Sequence, residues 1–226
     1  MQDKERRHMM TEISASDGHR LDCWIEPAKG ESRGGIVIVQ EIFGVTDQLK
    51  GVAARYAALG YTVAIPALFD RKEKGAVIPF DQGPRGRDLM LAADLDETMR
   101  DIDAAVGTLA ARGGKVAVIG FCWGGGLALR AAQKLDIAAA VAFYGTRLPQ
   151  YLDSPLRAPL LGHFGSKDDH VPPEMLDAAR AYLPDMQIHI YEAGHAFAND
   201  ARPSYVADAA ELAHQRTAAF LAANLS

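Results

Sequence analysis

Five residues, Gly120-Phe121-Cys122-Trp123-Gly124, set a thiol between two glycines, and two more glycines follow at 125 and 126. A nucleophile in the pattern G-x-nucleophile-x-G suits covalent catalysis when a strand enters the turn and a helix leaves it. The flanking glycines let backbone pass close by, and a helix N-terminus favours a thiolate and developing negative charge. The competing reading is a small residue buried in the core, a common fate of a lone cysteine.

An attacking thiol needs a base and an acid that orients it. Seven histidines are available. His163 and His189 fall within apolar strand-like runs and His214 within the last helical pattern, where satisfied core histidines are expected. His170 sits in "GSKDDHVPP", a solvated-turn composition. His195, in "YEAGHAFAND", follows the last strand-like run, with Gly194 giving it room, and is the expected base. The "GSKDDHVPP" loop also offers Asp168 and Asp169, either of which can accept the ring N–H of the base and fix its tautomer. A metal site at His163, Asp168, Asp169 and His170 lacks ligand spacing, so no metal and no cofactor is expected.

The elements that must position these groups alternate in type. Apolar runs at 35–40, 62–68, 115–120, 138–145, 159–165 and 187–192 alternate with helical patterns, which predicts an α/β fold with a mostly parallel sheet and helices on both faces. Residues around "TEISASDGHRLDCWIEP" predict an antiparallel hairpin at the sheet edge. Helices are expected over 46–59, with Thr46 as N-cap, over 88–111, after Cys122, near 173–182, and from about 204 to 225. Residues 69–87, rich in glycine, proline and mixed charge, predict a long irregular loop at the sheet end where α/β proteins bind ligands.

The chain has 226 residues, 49% hydrophobic and 23% charged, with a net charge of -5. One domain over 1–226 is expected, and the acidic balance argues against nucleic-acid binding. The first ten residues lack the apolar core of a signal peptide, and no apolar run is long enough to span a bilayer. A cytoplasmic protein without membrane association follows as the expectation. Cys23 and Cys122 are the only cysteines, so no disulfide framework is expected.

The segments "QEIFGV" (40–45), "GFCWGG" (120–125), "AFYG" (142–145), "GSKDDHVP" (165–172) and "EAGHAF" (192–197) together resemble the dienelactone hydrolase (carboxymethylenebutenolidase) family, of α/β-hydrolase fold. The resemblance implies a Cys122–His195–Asp168 triad, which favours Asp168 over Asp169. It further implies an oxyanion hole from the backbone N–H groups of Ile42 and Trp123, a Glu41 that restrains and then activates the thiol, and a Tyr144 that lines the pocket or donates a hydrogen bond. Family enzymes hold a substrate carboxylate with two arginines. Arg87 is the best match for the first, with Arg85 as alternative. The second position is occupied by Asn199, with Arg202 three residues further on. Leu91 stands where the family has a pocket tyrosine.

The function so implied is opening of a lactone or small ester through a thioester acyl-enzyme, with a dienelactone-like substrate favoured. A broad carboxylesterase or thioesterase and a non-catalytic ligand receptor on the same fold are the alternatives. A redox sensor would need a resolving thiol, for which only Cys23 is present. The expected partner is a small-molecule substrate, and the expected assembly a monomer or at most a weak dimer.

Overall fold

The computed structural model describes residues 9–226. The amino-terminal stretch read for a leader lies, up to residue 8, outside them. Eight strands form one sheet in the order β1-β2-β4-β3-β5-β6-β7-β8. β1 (Met9–Ser14) and β2 (Arg20–Glu26) are the expected antiparallel edge hairpin, and β2 also runs antiparallel to β4 (Thr62–Pro66). β3 (Gly35–Val39), β5 (Val116–Phe121), β6 (Ala139–Phe143), β7 (Leu160–Gly165) and β8 (Gln187–Tyr191) continue in parallel.

Strands β3 to β7 are buried on both faces, which is why their sequences are continuously apolar rather than alternating. In β3, Val37 and Val39 face the core layer under α3 (Leu95–Ala110), α4 (Trp123–Lys134) and α5 (Pro173–Tyr182), while Ile36 and Ile38 face the layer under α1 (Asp47–Ala58) and α6 (Ala207–Leu225). Thr46 caps α1, its hydroxyl accepting from the Leu49 N–H at 3.2 Å. Among the described residues no helix is long and apolar enough to cross a membrane.

Two expectations need correction. The 88–111 pattern is not one helix but α2 (Gly83–Ala92) followed by α3, because Asp94 leaves the helical region and caps α3 by accepting from the Glu97 N–H at 2.9 Å. The acid-x-x-Glu spacing of such a cap was present in the sequence, but the apolar period running through it hid the break. The irregular loop therefore ends at Gln82, where α2 begins. It is also tightly tethered. Asp70 accepts from the N–H groups of Asp22 and Gly75 at 2.8 and 2.7 Å, Arg71 grips Asp101 with two hydrogen bonds, and Ile78 is buried with its N–H on the Phe43 carbonyl.

Candidate active site

β5 delivers its chain into a turn at Cys122, whose backbone has φ 54° and ψ -114° and caps α4. That left-handed φ is costly for any residue bearing a Cβ. The turn is held by the Cys122 N–H on the Phe143 carbonyl and by the Cys122 carbonyl, which accepts from Gly125, Gly126 and Thr146. Glycine is required on either side. A Cβ on Gly120 would lie 1.7 Å from the Gly124 carbonyl oxygen, and one on Gly124 would lie 2.3 Å from that of Val39. Cys122 is partly exposed and free.

His195 comes from the loop after β8, and Asp168 from the loop after β7. The His195 Nδ1 and Asp168 Oδ2 are 2.8 Å apart, with the carboxylate fully buried. Asp168 Oδ1 accepts from the His170 N–H at 2.8 Å, so both oxygens are fixed. Burial opposes charge on the His195 ring, but hydrogen bonds to Asp168 and Cys122 outweigh it and raise the pKa to about 10. With Nδ1 committed to Asp168, Nε2 is left for the thiol.

The N–H of Gly124 goes to the Gln40 carbonyl and that of Gly125 to Cys122. Among the described residues this leaves the N–H groups of Trp123, at the first position of α4, and of Ile42 without a partner. They belong to two segments that flank the thiol.

Glu41 is buried beside these groups. Its Oε2 accepts from the Asn199 Nδ2 at 2.8 Å, while Oε1 has no hydrogen-bond partner. Burial pushes its carboxyl above the ordinary range, against the opposing pull of Asn199 and Arg202. No hydrogen bond joins Glu41 to Cys122. Tyr144, held at φ 39° and almost fully buried, sets its ring edge-on to His195 with centroids 5.2 Å apart.

Cys122 and His195 open onto a cleft of ≈ 460 Å³, ordinary for a small-molecule site. Its apolar wall includes Ile42, Phe43, Phe80, Met90 and Met175, its charged groups are Arg87, Arg147 and Arg202, and His170, whose pKa burial lowers, completes the polar lining. Among the described residues no aspartate or glutamate lines it. Among them, too, no three His, Cys, Asp or Glu side chains converge as metal ligands.

Several expectations about the pocket wall change. Asn199 is 1% exposed and faces Glu41, not the cleft. Leu91 is 58% exposed on the solvent side of α2, and its neighbour Met90 lines the cleft instead. Tyr144 is not among the wall residues but lies against His195 with its hydroxyl hydrogen-bonded to Glu41, the donor role among its two expected alternatives. Arg87 is in the wall, whereas the alternative Arg85 pairs with Glu73 on the surface. Arg202 is also in the wall, its guanidinium 5.4 Å from the Phe43 ring.

Three groups were missed or passed over. His170 was set aside for its acidic surroundings, yet it packs edge-on against His195 with centroids 4.5 Å apart. Its position two residues after Asp168, at the carboxyl end of β7, was the available signal. Phe80 lies in the 69–87 loop expected at the ligand-binding end of the sheet, which was its signal, and Arg147 gave none. His163 is a satisfied core histidine, bonded to Tyr191 and Thr217 at 2.8 and 2.9 Å. Cys23 is fully buried, its thiol pushed up to about 12 by that burial, and three strand positions separate it from β5. That is about 14 Å of sheet, too far to resolve an oxidised Cys122.

Comparison with known proteins agrees with this geometry. The model of the dienelactone hydrolase family matches residues 23–225. A carboxymethylenebutenolidase of Pseudomonas putida is 34% identical over 230 residues, covering 95% of this chain and 97% of its own. One from another Pseudomonas species is 33% identical over 225 residues, covering 92% and 94%. Among solved structures, a "putative dienelactone hydrolase" of Klebsiella pneumoniae superposes with a TM-score of 0.82 at 28% identity, covering 96% of this chain and 99% of that one.

Proposed function

Since the chain belongs to the dienelactone hydrolase family, we propose that it hydrolyses a lactone or small ester through a thioester on Cys122. The observation that carries this reading is the 2.8 Å contact of Asp168 with the Nδ1 of a His195 whose ring also meets Cys122.

The Cys122 thiolate attacks the substrate carbonyl, and the resulting oxyanion lies between the free N–H groups of Ile42 and Trp123. Each such donor typically stabilises the transition state by ~3–4 kcal/mol. Collapse breaks the carbon–oxygen bond, and the protonated His195 gives its proton to the departing oxygen. Water then attacks the thioester, His195 takes its proton, and the acid leaves with the thiolate restored. Asp168 holds the ring in the tautomer both steps need. Glu41 is the reserve base: freed from Asn199 on substrate binding, its carboxylate takes the thiol proton when Cys122 rests protonated.

A dienelactone-like substrate is favoured because its carboxylate suits two guanidiniums, and Arg87 and Arg202 both line the cleft without an acidic partner. The apolar wall supports a second reading, a broad esterase or thioesterase acting on neutral acyl groups. Comparing kcat/KM on dienelactone and on a neutral p-nitrophenyl ester, each with Cys122→Ala as control, separates them. Cys122-dependent preference for dienelactone supports the first, and preference for the neutral ester the second. Turnover that survives Cys122→Ala contradicts both.

A further inference from the structure

The three cleft arginines come from three different segments of the chain. Arg87 follows Gly86, where an added Cβ would meet the Ile42 carbonyl oxygen at 2.0 Å, and Arg202 lies over Phe43. The α2 backbone at Gly86 and the Arg202 guanidinium therefore both rest against the loop that leaves β3. Arg147 arrives from the other direction, after β6. In the sheet order β5 lies between β3 and β6, so the backbone that carries Arg147 leaves the sheet on the opposite side of Cys122 from the loop on which Gly86 and Arg202 rest.

Arg147 is held for this position at a cost. Its backbone is left-handed, φ 61° and ψ 21°, a conformation that disfavours a side chain with a Cβ. Its Nε donates to Gln150 Oε1 at 3.0 Å, which steers the guanidinium while leaving its two terminal nitrogens without an acidic partner. Elsewhere, arginines such as Arg55, Arg71 and Arg130 meet a carboxylate. In a chain of net charge -5, a cleft with three guanidiniums and no acid is suited to a ligand that brings its own negative charge on both sides.

We propose that Arg147 forms a second anion subsite, so that, beyond the single carboxylate of a dienelactone-like substrate, a second carboxylate across the scissile carbonyl, with one on the acyl side and one on the alkoxy side, raises kcat/KM further. The subsite rests on the hydrolase reading of the same cleft. The pair Arg87 and Arg202 takes one carboxylate, and the terminal nitrogens of Arg147 take the other in a bidentate contact.

Four esters test this: phenyl acetate, phenyl hemisuccinate, 3-carboxyphenyl acetate and 3-carboxyphenyl hemisuccinate. Each is assayed with the wild type, Arg147→Gln, Arg147→Gly and Arg202→Gln. Glycine accepts the left-handed backbone, so a folding defect cannot stand in for a lost contact. The expected result is that both Arg147 variants lower the charged-to-neutral ratio of kcat/KM by about tenfold or more in one monoanionic series only. Arg202→Gln lowers it in the other, and the dianion responds to both. Equal losses on neutral and charged esters, or losses by Arg147 and Arg202 variants on the same series, would overturn the subsite while leaving the hydrolase. Absence of Cys122-dependent turnover of all four esters would overturn the hydrolase reading and the subsite with it.

Discussion

Asn199 occupies the place where the family resemblance called for an arginine, and its effect runs through Glu41. A guanidinium there would hold the carboxylate charged; a neutral amide does so only by one donated hydrogen bond, at 2.8 Å. Burial already raises the Glu41 pKa, and the Asn199 contact lowers it. Removing the donor therefore raises it further, and a carboxyl that must be ionised to take a proton fails at a higher pH. Asn199→Ala should move the acid limb of the kcat/KM profile to higher pH, measured on a neutral ester so that substrate charge does not contribute. An unmoved limb would mean that Glu41 takes no part in activation. Asp168→Asn should leave the fold intact and lower kcat by up to about 10⁴-fold, because the ring loses its tautomer and its orientation. Stopped-flow acylation rates would read that loss.

The same residues show what a sequence can disclose. Cys122 and His195 were nameable because each lies in a short motif at the carboxyl end of a strand, where chain order implies proximity; that loop position left Asp168 and Asp169 open, and the family resemblance chose Asp168. Asn199 and Leu91 were placed in the wall by position in an alignment, and alignment does not say which way a side chain points. Leu91 faces solvent because α2 starts at Gly83 and presents Met90 inward. That start depends on how the tethered loop before it packs on Phe43 and Asp22, through contacts distant in sequence. Arg147 faces the cleft through a left-handed backbone that no pattern of residue types announces.

At the scale of elements, the turn from β5 into α4 depends on glycines that do different work from those in helix interiors. Gly124 faces the Val39 and Gln40 carbonyl oxygens, where a Cβ would lie at 2.3 and 2.6 Å from rigid backbone. Gly124→Ala should destabilise the fold by about 3 kcal/mol or more and disturb the Trp123 N–H with it. Gly107 lies in α3 with open space around an added Cβ. Gly107→Ala should stabilise by about 0.5–1 kcal/mol. Urea midpoints of the two variants against the wild type check both signs together. The break between α2 and α3 belongs to this scale as well: the Asp94 cap was visible as an acid three residues before a glutamate, yet the helical period on both sides of it was the stronger signal.

For the whole molecule, the relevant contrast is between a net charge of -5 and a cleft whose charged side chains are cationic. Such a field draws anionic substrates inward and is screened by salt, the Debye length being about 10 Å at 0.1 M. Raising the ionic strength from about 0.02 to about 0.5 M should lower kcat/KM for an anionic ester several-fold and leave that for a neutral ester nearly unchanged. The mostly parallel sheet, its edge hairpin and the cover of helices on both faces were legible from alternating apolar runs, since strands covered on both sides have little choice of composition; the strand order was not. Of the cleft's charge, Arg87 and Arg202 were reachable only through the family resemblance and Arg147 not at all, because that charge arises from α2, the loop after β6 and the loop after β8, segments that meet only in the fold.

The most direct test of the central claim is rapid-quench mass spectrometry of the enzyme mixed with a slowly deacylating ester, followed by peptide mapping. An acyl group on the peptide containing Cys122, labile to hydroxylamine at neutral pH as a thioester is, and absent in Cys122→Ala, is the result the account predicts. Steady hydrolysis with no acyl mass on that peptide and undiminished turnover in Cys122→Ala would contradict it.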